Sequence, residues 1–438
     1  MWVTSAHRPG RPRPGAVDVA IVGAGLIGLA TAWELRRRGR SVALIDPAPG
    51  AGASRAAAGM LAPVSEVQYQ QESLYSLMSA SAAEYPVFAA AVEQAAGESV
   101  GYHSTETLVC GVDFADRQAL ADLRQLQLRQ GMEVEPLALR TARSLEPALT
   151  PRLSAVYRIP SDHQIDPRRL VTGLLAILVE PEVDPRRPAG AVDGGPVRLV
   201  CEHARALRRD RRGAVTGVAL ADGQDVVAAQ TILAPGLGTR ELNGLPATCR
   251  LPLRPVHGDI VRARLPSGAR RLLERTVRGL VHGVPVYLVP RADGTVVIGA
   301  TSREDGLAGV NTGGVFRLLR DAQTLVPSVG DLELTEVMAR ARPGTPDDIP
   351  YLGRIRTPDG DPVPGLVVST GYFRHGVLLT PLAARLAAQL VTGETGTDPD
   401  ADASHLTTTD PHRFDATDLD RRTVEVRASA SASEYRRT

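Results

Sequence analysis

The apolar and polar positions between residues 18 and 46 change period twice. Val19–Val22 is apolar at every position and short, as suits a strand buried on both faces. A glycine turn and then a helix follow, and the next apolar run, Val42–Ile45, closes on Asp46. Further along, the pattern predicts a long helix from about Glu72 to Ala96, then short strands over 101–160 with polar helices near 114–130 and 139–146. Pro167 suits the first position of another helix, with Asp166 as its cap. Strands and tight turns occupy 197–233, where Arg205–Arg212 reads as a solvated hairpin tip rather than a ligand site. Gln230–Thr239 is an apolar strand ending in a second glycine turn and looks like a return strand of the first sheet. Val284–Thr301 reads as a hairpin turning at Ala292–Gly294. Gly365–Gly371 leads into a helix expected at Val377–Val391, opened by Gly376. Residues 1–15 (RPGRPRPG and its surroundings) are expected to be a disordered arm, and 396–438 a flexible tail.

The first of these patterns carries chemistry. Gly23, Gly25 and Gly28 have the G-x-G-x-x-G spacing at a strand-to-helix turn, where the first glycine permits the tight turn. The second lets backbone approach a pyrophosphate, and the third lets helix pack on sheet. Asp46 stands 18 residues after Gly28, near the separation of about 20 expected for an acid that holds a ribose. The helix N-terminus offers unpaired N–H groups and a partial positive charge to phosphates. In the full strand–turn–helix–strand–acid context this spacing points to a bound dinucleotide.

Composition narrows the choice. A chain of 438 residues has room for two domains, and 50 basic against 49 acidic residues make no broad electrostatic case for nucleic acid or an anionic membrane. No apolar run reaches transmembrane length and no signal-peptide core is visible, so a cytoplasmic setting is expected. Cys110, Cys201 and Cys249 are widely separated and the nine histidines show no metal-binding spacing, so no metal site is expected. Every basic residue is arginine. The absence of lysine excludes a Schiff-base lysine and a Walker-A lysine. The chain also leaves the nucleotide unit and returns to it, which suits a flavoprotein better than a nicotinamide-dependent dehydrogenase.

Four motifs in order, GAGLIG (Gly23–Gly28), SRAAAGMLAP (Ser54–Pro63), RARPGTPDDIPYLG (Arg340–Gly353) and TGYFRHGVLLTPLA (Thr370–Ala383), resemble the glycine oxidase branch of the D-amino-acid oxidase-like flavoenzymes. The resemblance covers roughly 17–395. It implies an α/β (α+β overall) fold in which a Rossmann-like FAD-binding domain (16–95, 164–250, 340–395) is interleaved with a smaller antiparallel-sheet substrate domain (96–163, 251–339). It further implies noncovalent FAD, a small amino acid and O2 as substrates, a homotetramer, and a link to thiamine biosynthesis.

By the same resemblance Ala53, Ser54, Ala58, Gly59 and Met60 lie along the FAD beside Gly23, Gly25, Leu26, Ile27, Gly28 and Asp46. Met60 alone would read as core filler. Tyr372, Phe373, Arg374, His375, Gly376, Val377 and Leu378 would line the isoalloxazine. Arg342, in a turn stiffened by Pro343 and Pro346, would clamp the substrate carboxylate with a planar fork; a surface salt bridge is the plain alternative. Tyr287 would help hold that carboxylate, unless it is simply a core tyrosine. Arg374 would stand at the substrate site, and His375 reads better as structural than as a base. His282 and Pro285 replace the family's rim residues, so substrate preference is open among glycine, sarcosine and small D-amino acids. Monomeric sarcosine oxidases fit less well, because Ala341–Pro343 precede GTPD and lysine is absent. A dehydrogenase with another acceptor and a flavin-binding protein without turnover remain as other readings.

Overall fold

The computed structural model describes residues 16–179, 195–266, 268 and 270–414; the arm expected over 1–15 and the tail beyond 414 lie outside them. Two eight-stranded sheets organise these residues. In the first, strand Val17–Val22 sits between Val42–Ile45 and Asp225–Leu233, parallel to both. Val197–Val200 extends this sheet beyond Val42–Ile45, and Pro362–Thr370 extends it beyond Asp225–Leu233, again in parallel. Only the outermost strand, Tyr351–Arg356, and a hairpin, Ala204–Arg209 with Val215–Leu220, pair antiparallel. Val19, Ile21, Val42 and Leu44 are almost completely buried, as their unbroken apolar runs require.

Helices cover this sheet through apolar stripes. In helix Pro167–Leu178, Leu170, Leu174 and Leu178 recur every four residues and are buried. Asp166 caps it, its carboxylate accepting from the N–H groups of Arg168 at 2.9 Å and Arg169 at 3.4 Å, a contact worth about 1 kcal/mol. Helix Glu72–Ala96 ends on Gly97 in the left-handed conformation, as glycine-stopped helices do. Its Ser81 and Tyr85 hydroxyls donate to the carbonyls of Leu378 and Val377, fastening the turn before the last long helix.

The second sheet runs Glu333–Gly344, Arg254–Arg264, Thr295–Gly299, Val284–Pro290, Thr276–Val281, Thr107–Gly111, Ala155–Ile159, Glu135–Pro136. It is antiparallel except where Thr276–Val281 meets Thr107–Gly111. Helix Thr312–Leu325 packs Leu318, Ala322 and Leu325 onto one face; the other face looks towards the first sheet.

Two expectations need correction. Gly376 does not open a helix: Phe373, at φ +44°, takes the chain into a short 3₁₀ turn, Phe373–His375, and the helix runs Thr380–Thr392 with Pro381 in its first turn. The segment expected to be loose from 396 carries a helix, Pro399–Thr408. Arg385 ties it down, donating to both oxygens of Asp402 and to Glu84. Arg413 then grips Asp347 with two N–H groups at 2.8 Å each, so the C-terminal strap holds the loop at 345–350.

Candidate active site

A cavity of about 1140 Å³ lies between the two sheets. Ordinary small-ligand sites measure roughly 300–1,000 Å³, so this one has room for a dinucleotide with a small molecule beside it. At one end it is lined by Gly23, Gly25, Leu26, Ile27, Asp46, Ala53 and Ser54. Gly23 has φ +103°, and a Cβ there would stand 2.3 Å from the Ala234 carbonyl oxygen, so a side chain is excluded on both counts. A Cβ on Gly28 would stand 1.9 Å from the Gly23 carbonyl; that glycine serves helix packing and does not line the cavity. The Asp46 carboxylate accepts from the N–H groups of Ala24 at 2.7 Å and Ala48 at 2.8 Å, which fixes its position and leaves lone pairs free. The Ser54 hydroxyl accepts from the Leu26 N–H at 3.1 Å and binds the next turn to the helix N-terminus.

The middle of the cavity is walled by Ala56–Met60, small side chains that allow close approach to a flat ring. The opposite end is charged. Tyr287 and Arg342 project from the second sheet, each into space that a neighbouring strand leaves by having glycine. A Cβ on Gly299 would come within 2.4 Å of the Tyr287 hydroxyl, and one on Gly258 within 2.3 Å of the Arg342 Nη1. Arg342 lies inside strand Glu333–Gly344, opposite Val256, rather than in the proline-stiffened turn expected for it. The strand's pairing with Arg254–Arg264 carries the ladder through Pro343, so the prolines do not end it before Arg342. Its Nη1 donates to the Thr301 carbonyl at 3.3 Å, and among the described residues it makes no ion pair with a carboxylate. A surface salt bridge is therefore not its role.

Glu66 organises the remaining charges. Its carboxylate accepts from Arg278 and stands 3.3 Å from Arg374 and 4.0 Å from the His375 ring. Burial on its own would raise the Glu66 pKa, but Arg278, Arg374 and His375 outweigh it and hold the carboxyl below its usual range. Burial raises the Tyr287 phenol although Arg342 works against it, so the hydroxyl stays protonated and able to donate. Burial lowers the Arg342 guanidinium, which keeps its charge at neutral pH. His375 is pushed down to about 4, chiefly by burial against the opposing pull of Glu66, and is neutral at pH 7.

Most of the residues singled out in the sequence meet at this cavity, including Met60, Tyr372, Phe373, Arg374, Gly376 and Val377; Gly28, His375 and Leu378 do not line it. Pro285 lines it, but His282 turns away at a hairpin tip, where its Nδ1 meets Asp113 at 2.8 Å. Glu66 and Arg278 were missed. Arg278 stands directly opposite Tyr287 in the antiparallel register, so the signal for it exists only once Thr276–Val281 is paired with Val284–Pro290. Glu66 follows the AAAGM turn as one acid in an unpatterned stretch. Among the described residues no group of His, Cys, Asp or Glu could hold a metal ion, and no helix is long and apolar enough to cross a membrane.

Comparison with known proteins agrees with this geometry. The family model described as FAD dependent oxidoreductase matches residues 18–390. The chain is 30% identical over 384 residues to the bifunctional protein ThiO/ThiG of Trichormus variabilis, covering 85% of this chain and 52% of that protein. It thus spans about half the length of that relative. It is 31% identical over 377 residues to a glycine oxidase of Geobacillus kaustophilus, covering 85% of this chain and 92% of the relative. The crystal structure of glycine oxidase from Geobacillus kaustophilus superposes with a TM-score of 0.76 at 29% identity, over 92% of this chain and all (100%) of that one. With the glycine-rich turn, the acid after the second strand and the family match in agreement, the chain belongs to the FAD-dependent oxidoreductases.

Proposed function

We propose that the chain oxidises glycine or a similarly small amino acid, using noncovalently bound FAD and passing the electrons to O2. The observation that carries this reading is Arg342: a buried guanidinium, unpaired with any carboxylate among the described residues, beside a protonated Tyr287 hydroxyl in the same cavity as the glycine turn. A cation so placed is suited to an anion that arrives with the substrate. The residues fit the cofactor too. Gly23, Gly25 and the helix N-terminus suit the pyrophosphate, Asp46 a ribose, and Ala53–Met60 with Tyr372–Val377 the ring system.

In this reading Arg342 and Tyr287 hold the substrate carboxylate, which fixes the Cα–H bond towards the ring. The bound flavin supplies an acceptor for the hydride from Cα. No side chain has to remove a proton from carbon. Arg278 and Arg374 hold the Glu66 carboxyl below its usual range and burial pushes His375 down to about 4, so both are weak bases. Arg374, held by Glu66, closes the substrate end, and its backbone carbonyl suits the amine. Hydrolysis of the released imine completes the balance: glycine, O2 and water give glyoxylate, ammonia and hydrogen peroxide. A relative of Rhizobium etli, 28% identical over 380 residues and named a putative thiamine biosynthesis oxidoreductase, supports extending the reading to thiamine biosynthesis.

The test is anaerobic addition of glycine to the purified yellow protein, following the visible flavin band. Bleaching that air reverses is the expected result. Bleaching that air does not reverse would make it a dehydrogenase, and no bleaching would move the assignment to sarcosine, D-alanine or D-proline. A colourless protein would overturn the flavoenzyme reading.

A further inference from the structure

Three arginines reach the backbone of the turn that walls the middle of the cavity. Arg168 donates to the Arg55 carbonyl at 3.0 Å, and Arg262 to those of Arg55 and Ala57 at 3.4 Å each. Both pair with one shared carboxylate, Glu336, at 2.6 Å from Arg168 and 3.3 Å from Arg262. The third, Arg291, is different. It follows strand Val284–Pro290, which also carries Tyr287, and its side chain is buried beneath the turn. One terminal nitrogen donates to the Ala58 carbonyl. The other donates to the Ile165 carbonyl at 2.8 Å and to Gln164 Oε1 at 3.0 Å.

Every one of these acceptors is uncharged. The Arg291 Nε is buried without a partner, and among the described residues no carboxylate makes an ion pair with the side chain. Asp166 and Asp293 act on it only through space. Burial lowers the guanidinium to about 10, which leaves it charged at neutral pH. A buried cation without a counter-ion is disfavoured unless something nearby becomes negative. A neutral donor could hold two carbonyls equally well, so anchoring alone does not account for a charge here.

We propose that Arg291 is a positioning residue for the cofactor turn whose charge favours the reduced flavin. It fixes the carbonyls of Ala58 and Ile165, and with them Ala58–Met60, and places behind that wall a cation that no carboxylate contacts among the described residues. Two-electron reduction gives the ring system negative charge, which a fixed cation in a dry site stabilises. The inference rests on the reading that the cavity takes FAD.

The test is the midpoint potential of the bound flavin in the holoenzyme, by equilibration with a reference dye, for wild type, Arg291→Lys, Arg291→Gln and Gln164→Glu. Gln164→Glu keeps the arginine and sets a carboxylate against its nitrogen, so it answers even if Arg291→Gln does not fold. Expected are more negative potentials in Arg291→Gln and Gln164→Glu, such that at the wild-type midpoint oxidised flavin exceeds reduced by about tenfold. Arg291→Lys stays close to wild type. An unchanged potential in Gln164→Glu overturns the proposal, as does an equal shift in Arg291→Lys and Arg291→Gln, which would assign the effect to shape rather than charge. A wild type that takes up no FAD overturns the cofactor reading itself and is told apart by that.

Discussion

At the glycine end of the cavity Gly23, Gly25, Asp46 and Ser54 come from one stretch of chain, and the work is done by backbone, close approach and two anchoring side chains. At the arginine end Glu66, Arg278, Tyr287, Arg342 and Arg374 come from five separate segments, and the work is done by charge. The first end tolerates almost no added volume, because Gly23 and Gly28 already touch neighbouring carbonyls. At the second, Glu66 holds Arg278 and Arg374, while Arg342 and Tyr287 stand in the spaces left by Gly258 and Gly299 and present charge and a hydroxyl to the cavity. In the proposed reading, shape then governs cofactor retention and charge governs substrate binding.

That contrast can be broken by experiment. Gly23→Ala should have the largest effect: the added methyl meets the Ala234 carbonyl and a positive φ at once, and the purified protein should carry no flavin absorbance. Arg342→Met should keep its flavin colour but lose a charge-assisted contact of roughly 3 kcal/mol, about a hundredfold in kcat/KM for glycine. A flavin-free Arg342→Met would mean that the two ends are not separable. Gly258→Ala should move the Arg342 guanidinium without removing it, raising KM by about tenfold with kcat and flavin content little changed.

The smallest expected effect concerns His375. Its pKa is depressed on folding, so its contribution to stability is complete above the unfolded value near 6.5 and is lost as pH falls towards about 4. The Tm of wild type should therefore fall more steeply than that of His375→Asn between pH 6.5 and 4. Buried Asp162 is raised to about 6 and acts in the opposite sense over part of that window, but it is common to both proteins and cancels in the difference. Parallel Tm curves would show that His375 does not bury a neutral ring.

The same contrast explains what could be read from sequence. The glycine end was legible because its residues are consecutive and each spacing has a local physical cause. The helix at Glu72–Ala96 and the Asp166–Pro167 start were legible for the same reason. Arg342 and Tyr287 came from the family motifs and meet in the cavity, but Arg342 was expected in a turn. Its strand is set by pairing with Arg254–Arg264, which local proline content does not report. Glu66 and Arg278 had no local signal at all. Pro399–Thr408 was hidden because a polar, acidic helix looks like a solvated tail until Arg385 is seen to hold it.

The placement of strand Asp225–Leu233 beside Val17–Val22 also bears on how the protein comes to be made. The nucleotide turn is synthesised before the carbonyl of Ala234 that closes it, and Pro362–Thr370 comes later still. Until then the first strand has an unpaired edge, the kind of surface on which nascent chains aggregate. In the proposed reading, cofactor uptake can therefore complete only after residues 225–234 have been made.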